Sequence, residues 1–309
     1  MAKKIITGHD EERNNDIESY RKRLHERASY DEMRKSMEPV ESAKGYTARA
    51  MVLASMPHSK PEETYFERKN GNYTLTMQAS HKIGLPYGSI PRLLLAWITT
   101  EAVRTKSREL VLGSSLAEFM RKLDIKRTGG KNGRISALHE QMLRLFTTSI
   151  NCTYSDEERV AGVNMFVADK YELWWNPKTN SNAEQKTLWE STIVLSESFY
   201  NEVITNPIVF YMDVLKGLRK SPLALDIYMW LTHKNSYSKN SFMIPWEKLQ
   251  AQFGVGYPND AQGKSDFKQN YKKALKKVSE VYPEAKKLII SKEGLIFYPG
   301  SPHVPKTKK

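Results

Sequence analysis

From residue 73 to 77, Tyr-Thr-Leu-Thr-Met alternates apolar and polar positions, the period of a half-buried strand. Gly84-Leu-Pro-Tyr-Gly-Ser-Ile-Pro91 then reads as a turn, with Ser89 or Ile90 at a helix cap and Pro91 in the first turn, where its missing donor costs nothing. From Leu93 to Arg104 apolar residues fall nearly all round a helix, which predicts burial on every side. Glu109–Leu112 is a short strand, and Ser115-Leu-Ala-Glu118 is a capping box. Leu116, Phe119, Met120 and Leu123 follow at i, i+3, i+4 and i+7, a short amphipathic helix. After the glycine-rich segment Thr128–Gly133, a second helix places Ile135, Leu138, Met142, Leu145 and Phe146 on one face. Ser149–Tyr154 and Gly162–Val167 read as paired strands.

The second half follows the same plan. Pro222 opens a helix through Tyr228, Trp230 and Leu231, and Pro245 opens a short one with Trp246, Leu249 and Phe253. Ser265 or Asp266 caps a longer helix reaching Tyr282, and the strands Leu288–Ile290 and Leu295–Tyr298 close the unit around Ser291–Gly294. Trp97 precedes Ile135 by 38 positions and Trp230 precedes Phe267 by 37, as a duplication would require. Two helices joined by a turn and followed by a β-hairpin are the order of a winged helix. The fold expected is therefore α+β: a charged, partly helical N-terminal arm over residues 1–45, with weak patterning at Ile17, Tyr20 and Leu24, then tandem winged-helix domains over 46–204 and 205–309.

Composition sharpens the picture. A chain of 309 residues with 39% hydrophobic and 27% charged side chains has the profile of a soluble two-domain protein. No apolar run approaches a membrane span, and nothing at the N-terminus resembles a secretory signal. Both fit a soluble cytoplasmic protein, and the single cysteine, Cys152, fits a reducing cytosol. The net charge of +13 favours a polyanionic partner. It is unevenly spread: residues 91–150 hold eleven basic and five acidic side chains, 151–214 hold four and ten, and 215–309 hold eighteen and seven.

Motifs for enzymatic chemistry fail one by one. His139-Glu-Gln-Met-Leu143 lacks the second histidine of a zinc-protease helix, and Gly263-Lys-Ser265 has Pro258 where a phosphate loop needs its first glycine. The seven histidines are too scattered for the metal site of a strand-nicking enzyme, and Cys152, in an alternating strand, reads as a buried thiol. No cofactor, metal or catalytic residue is expected.

The basic helices carry the candidate chemistry. Over 265–282, Phe267, Tyr271, Ala274, Leu275, Val278, Val281 and Tyr282 share one arc, and Ser265, Gln269, Lys272, Lys273 and Lys276 lie opposite, with Glu280. Five lysines, Lys268, Lys272, Lys273, Lys276 and Lys277, stand without an acid among them, a density that phosphates would turn from repulsion into attraction. Gln269 has the paired donor and acceptor that match adenine. Lys292 sits at the hairpin tip, where a wing residue would be. On the earlier helix the outward arc is Ser136, Ala137, Glu140 and Arg144, flanked by Arg134 and Gln141.

The stretches Gly84–Trp97, Ser115–Met120, Gly129-Gly130 and Gln141–Phe146 together resemble the plasmid-encoded RepA replication initiators of bacterial theta-replicating plasmids. The sequence departs from that pattern at Asp124, where glycine is expected. The resemblance implies a non-enzymatic tandem winged-helix protein that binds repeated double-stranded origin sequences, helps to open an adjacent tract, and recruits the host initiator and replicative helicase. It leaves open a homodimer and repression of its own promoter. Two other readings stand beside it: a winged-helix transcriptional repressor and, in a different class, a DNA nicking enzyme or nuclease.

Overall fold

A computed structural model describes residues 44–53, 55–112, 116–130, 133–173, 191–205, 207–254 and 256–305. Residues 1–43 of the expected arm and the cap residue Ser115 lie outside them. The chain is a mixed α/β protein built on antiparallel sheets.

In the first half, β1 (Lys44–Ala48) and α1 (Arg49–Leu53) precede the hairpin β2 (Tyr65–Asn70) and β3 (Tyr73–Gln78). There follow α2 (Ser89–Thr105), β4 (Glu109–Val111), α3 (Leu116–Lys122), α4 (Arg134–Thr147), β5 (Ser149–Ser155), β6 (Val160–Met165), β7 (Ala168–Glu172) and β8 (Thr192–Leu195). Then α5 (Glu197–Thr205), β9 (Pro207–Tyr211) and α6 (Met212–Gly217) lead into the second half. That half comprises α7 (Pro222–Tyr237), β10 (Phe242–Pro245), α8 (Trp246–Phe253), α9 (Ala261–Val281), a 3-10 turn over Pro283–Lys287, β11 (Ile289–Ile290) and β12 (Gly294–Phe297).

The strand pair expected at 149–167 does not close the sheet beside α3 and α4. Its β5 pairs with β3, Leu75 opposite Cys152 and Met77 opposite Ile150, in a four-stranded sheet ordered β2-β3-β5-β6. These four side chains are buried, so the apolar alternation that marks a strand is used against the hairpin upstream. The sheet holding β4 is closed later in the chain, in the order β4-β8-β7. The second half shows the same plan without the inserted hairpin: helix, strand, two helices, two strands, ordered β10-β12-β11. Both units thus place their first strand beside their last. The tryptophans match as well: Trp97 on α2 meets Phe119 on α3 edge-to-face at 5.0 Å, and Trp230 on α7 meets Phe253 on α8 at 5.8 Å.

Several helix ends differ from expectation for local reasons. Helix α2 is capped by Gly88, at φ 78, rather than by Ser89 or Ile90. Helix α9 is capped by Asp260, five residues before Ser265, the earlier of the two expected caps, because its carboxylate accepts from Gly263 N at 2.7 Å. Gly263 is required there, since a Cβ would lie 2.1 Å from Pro258 O. Asp124, where glycine is expected, adopts φ 54, the left-handed conformation that glycine takes without strain, and its carboxylate pairs with Arg219 at 2.8 Å.

The two units share a continuous core and a buried polar junction. Strand β9 pairs with β1 from Ala48 opposite Pro207 to Lys44 opposite Tyr211. Arg92, in the first turns of α2, is 2% exposed, and all five of its N–H groups are used. Its Nε and Nη2 bind Asp226 of α7 at 2.7 Å each, and the remaining donors reach the carbonyls of Met56, Pro57 and Gly88. His58 Nε2 lies 2.7 Å from the same carboxylate, and because a carboxylate only accepts, that nitrogen carries the proton. Burial alone would raise the Asp226 carboxyl, but the Arg92 charge and the bonds from His58 and Arg92 outweigh it and hold the pKa well below the usual range. Burial pushes His58 down despite its bond to Asp226, so the imidazole is the neutral donor. Nearby, Arg68 of β2, 1% exposed, donates to Gln252 O at the C-terminal end of α8, which Ser55 Oγ also reaches.

A pH dependence follows. Burial, with Arg49 and Lys234 nearby, lowers the His233 pKa from 6.5 to about 4. Between those values the unfolded chain takes up a proton that the folded chain refuses, so stability present above pH 6.5 is lost as pH falls toward 4. The half-buried His233 contributes about 1–2 kcal/mol of this after solvent screening, and His58 adds in the same direction. Thermal melts of wild type and His233→Gln across that window check it: the variant has the shallower dependence.

Candidate nucleic-acid interface

The lysine helix is held by one apolar stripe. Phe267, Tyr271, Ala274, Leu275 and Val278 of α9 are buried, and Trp246 of α8 packs edge-on to Phe267 and Tyr271 at 6.4 and 5.9 Å. The opposite face is left to solvent. Gln269, Lys272, Lys273, Lys276 and Lys277 are exposed there, as the helical projection requires. Lys268 is half-buried, its Nζ 5.6 Å above the Trp246 ring, so this cation is partly committed to holding α9 on α8. Gln269 Oε1 accepts from Lys273 Nζ at 3.5 Å, a weak contact at solvent-exposed positions. The helix therefore presents a row of four lysines with one amide nearer its N-terminus.

The last hairpin is fixed to α8. Ser291 N donates to Gly294 O at 2.8 Å, and Trp246 Nε1 donates to Ser291 O at 3.3 Å, tying the turn to α8. Gly294 allows β12 to approach β10, because a Cβ there would lie 2.1 Å from Ile244 O. Lys292 stands exposed at the tip.

The first unit is built differently. Arg134, Ser136 and Glu140 of α4 are exposed, and Ser136 Oγ donates to Gly130 O at 3.0 Å. Gln141 and Arg144, expected on or beside the outward arc, are instead 4% and 8% exposed. Gln141 Oε1 accepts from Tyr87 N at 2.9 Å. Arg144 donates to Leu85 O and to Glu140, and its guanidinium lies 5.4 Å from the Tyr87 ring centroid. Gly84 leaves room for this arginine, since a Cβ there would lie 2.4 Å from Nη1. Both side chains are drawn inward because the turn at 84–88 carries backbone groups that no helix or strand satisfies. A helical projection sets where a side chain leaves the helix but not where its polar end settles. The Gly-Pro-rich turn thus covers the C-terminal half of α4.

Cys152 is 4% exposed and burial raises its thiol to about 11, which removes it as a nucleophile at neutral pH. Among the described residues, no group of three or more His, Cys, Asp or Glu is placed to hold a metal ion, and no helix is long and apolar enough to cross a membrane. The polar junction Arg92, Asp226, His58 and Arg68 was absent from the sequence reading. Its signal was present: Arg92 and Asp226 are the lone charges within the apolar stretches Ile90–Ile98 and Leu223–Leu231, and such a charge needs a partner.

Residues 85–248, just over half of the chain, match the family model of the plasmid-encoded RepA protein. The chain belongs to the plasmid-encoded RepA family. Membership supports a replication-initiator role, as the resemblance of residues 84–146 implied. The matched stretch runs from the turn that covers α4, through the Arg92–Asp226 junction, into α8, so the lysine helix of this RepA-family chain lies beyond it. The fold is similar to that of RctB domains 2 and 3 in two crystal structures, each at a TM-score of 0.50 and 11% identity. The alignments cover 75% and 80% of this chain, and 84% and 94% of those chains. No curated protein matches the sequence.

Proposed function

We propose that this RepA-family chain is a plasmid replication initiator that binds double-stranded DNA by sequence, without catalysis of its own, through two winged-helix units. The observation that carries the reading is α9: four exposed lysines and Gln269 on the face opposite a buried apolar stripe, in the helix that follows α8 across a short turn. The strand order shared by β4-β8-β7 and β10-β12-β11, and the matched Trp–Phe contacts, support the winged-helix assignment. Lys272, Lys273, Lys276 and Lys277 serve as phosphate contacts, with Lys268 beside them and Lys292 reaching the backbone from the wing. Gln269 reads a base. Arg134, Ser136 and Glu140 offer the first unit a smaller contact, and Gln141 and Arg144 act by shaping it. Repeated origin sequences, recruitment of the host initiator and replicative helicase, and a bacterial cytoplasmic setting complete the proposal on the strength of the family resemblance.

Footprinting on the DNA flanking the gene, together with replication in trans of a plasmid carrying that segment, tests the role. Protected repeats and replication are expected; magnesium-dependent nicking of supercoiled DNA by the pure protein would replace the reading with an enzymatic one. Gln269→Ala is expected to cost about 1–3 kcal/mol on the footprinted site and almost nothing on random DNA. Equal loss on both would remove Gln269 as the base reader.

A further inference from the structure

Besides the β1–β9 pairing, the shared core and the exposed Asp124–Arg219 pair, two buried arginine anchors cross from the first unit to the second, and they are not equivalent. One joins the first helices of the two units, where the Arg92 fork grips Asp226 with His58 as third partner. The other is Arg68, whose strand belongs to the first-half sheet and whose Nη1 meets Gln252 O on α8, the helix immediately before α9. A carbonyl in the last turn of a helix has no partner within it and carries the negative end of the dipole, so a buried cation suits that place. The shared core and the β1–β9 pairing join the units, but apolar packing is not directional; bonds at two separate places fix the angle of α8, and with it α9, against the first unit.

The way Arg68 is used is costly for the fold. It is 1% exposed, and its Nε and Nη2 meet no acceptor among the described residues. Burial pushes its guanidinium down to about 9 against the opposing charge of Asp226. A methionine of similar length would fill the same space without an idle charge. What the arginine adds is direction: a bond aimed at one carbonyl of the helix-turn-helix, where an apolar side chain would only fill space.

We propose that Arg68 and the Arg92–Asp226 pair are positioning residues that fix α9 relative to α4, so that this protein requires one particular spacing between the two DNA segments its units contact. The inference rests on the DNA-binding reading above and goes beyond it by assigning spacing specificity to residues that touch no DNA. At one helical turn per about 10.5 base pairs, a five-base-pair insertion turns one contact to the opposite face of the duplex. A rigid pair of units cannot follow it; a pivoting pair follows small changes.

The test uses full-length protein and duplexes carrying the footprinted site, with one to five base pairs inserted or removed between its two protected segments. Wild type should lose at least tenfold in affinity at one or two inserted pairs. Arg68→Met should bind the original duplex within about threefold of wild type, with a melting temperature unchanged or raised, yet lose less than threefold across the same insertions. Arg68→Lys, which restores a cation near Gln252 O, should recover part of the discrimination, and Asp226→Asn should flatten the profile through the other anchor. A merely structural role for Arg68 predicts a lowered melting temperature and an unchanged spacing profile, which overturns the proposal. A flat wild-type profile at high affinity also overturns it while leaving the DNA-binding reading intact. Failure of wild type to prefer any duplex over random DNA removes that reading and the proposal together.

Discussion

Arg92→Met is expected to destabilise the folded chain by about 3–5 kcal/mol, the largest effect of any single substitution considered for this protein. The methionine matches the arginine stem in length, so little packing is lost. What is lost is the partner of Asp226, a carboxylate on a residue 5% exposed that would keep only the neutral His58 as a donor. Three backbone carbonyls, of Met56, Pro57 and Gly88, lose their guanidinium donors as well. The double variant Arg92→Met/Asp226→Leu is expected to recover much of the loss, because removing both charges removes the uncompensated one. Urea unfolding of wild type, both single variants and the double variant measures the coupling. A cost below about 1 kcal/mol for Arg92→Met would show that the junction is wet and weak.

Replacing Lys272, Lys273, Lys276 and Lys277 together with glutamine is expected to remove most of the DNA affinity. If each neutralises one phosphate, the slope of log affinity against log salt becomes shallower by about 3–4, which at about 0.15 M salt is roughly a thousandfold. Cognate and random DNA should weaken alike, since phosphate contacts carry no sequence. The fold should be unaffected: all four positions are exposed, and the helix is held by Phe267, Tyr271 and Val278 on its other face. Salt titrations on two duplexes decide it. A variant binding as wild type at every salt would mean that α9 faces solvent and that another surface meets the DNA.

The contrast between the two units shows where periodicity is informative. For α9 the sequence pattern and the structure agree on every buried residue from Phe267 to Val278 and on the exposure of Gln269 and the lysines, because a long helix on a flat neighbour has one apolar face and one polar face. For α4 the same reasoning misplaced Gln141 and Arg144, because a turn 54 to 59 positions away in sequence, at 84–88, lies across the helix and supplies hydrogen-bond partners that no periodicity contains. The expectation of glycine at Asp124 was informative in another way: the residue differs, but the backbone there holds the left-handed conformation that the pattern called for.

The sequence by itself left β1, β2, β7, β8, β9, β10, α1, α5 and α6 unread, but it determined the longer helices and their buried faces, the repeated order of helices and the tryptophan that anchors each unit. These follow from contacts between residues three or four apart, or two apart in strands, which act before the chain has found its distant partners. Only the tertiary structure decided which strands meet, so that β4 waits for β8 while β5 joins the earlier hairpin. It alone brought Arg92 to Asp226 across 134 positions and Arg68 to Gln252 across 184. The physical reason is that strand partners and buried charges are chosen by what removes the most apolar surface and leaves the fewest polar groups unpaired over the whole chain, a balance that no local stretch of sequence contains.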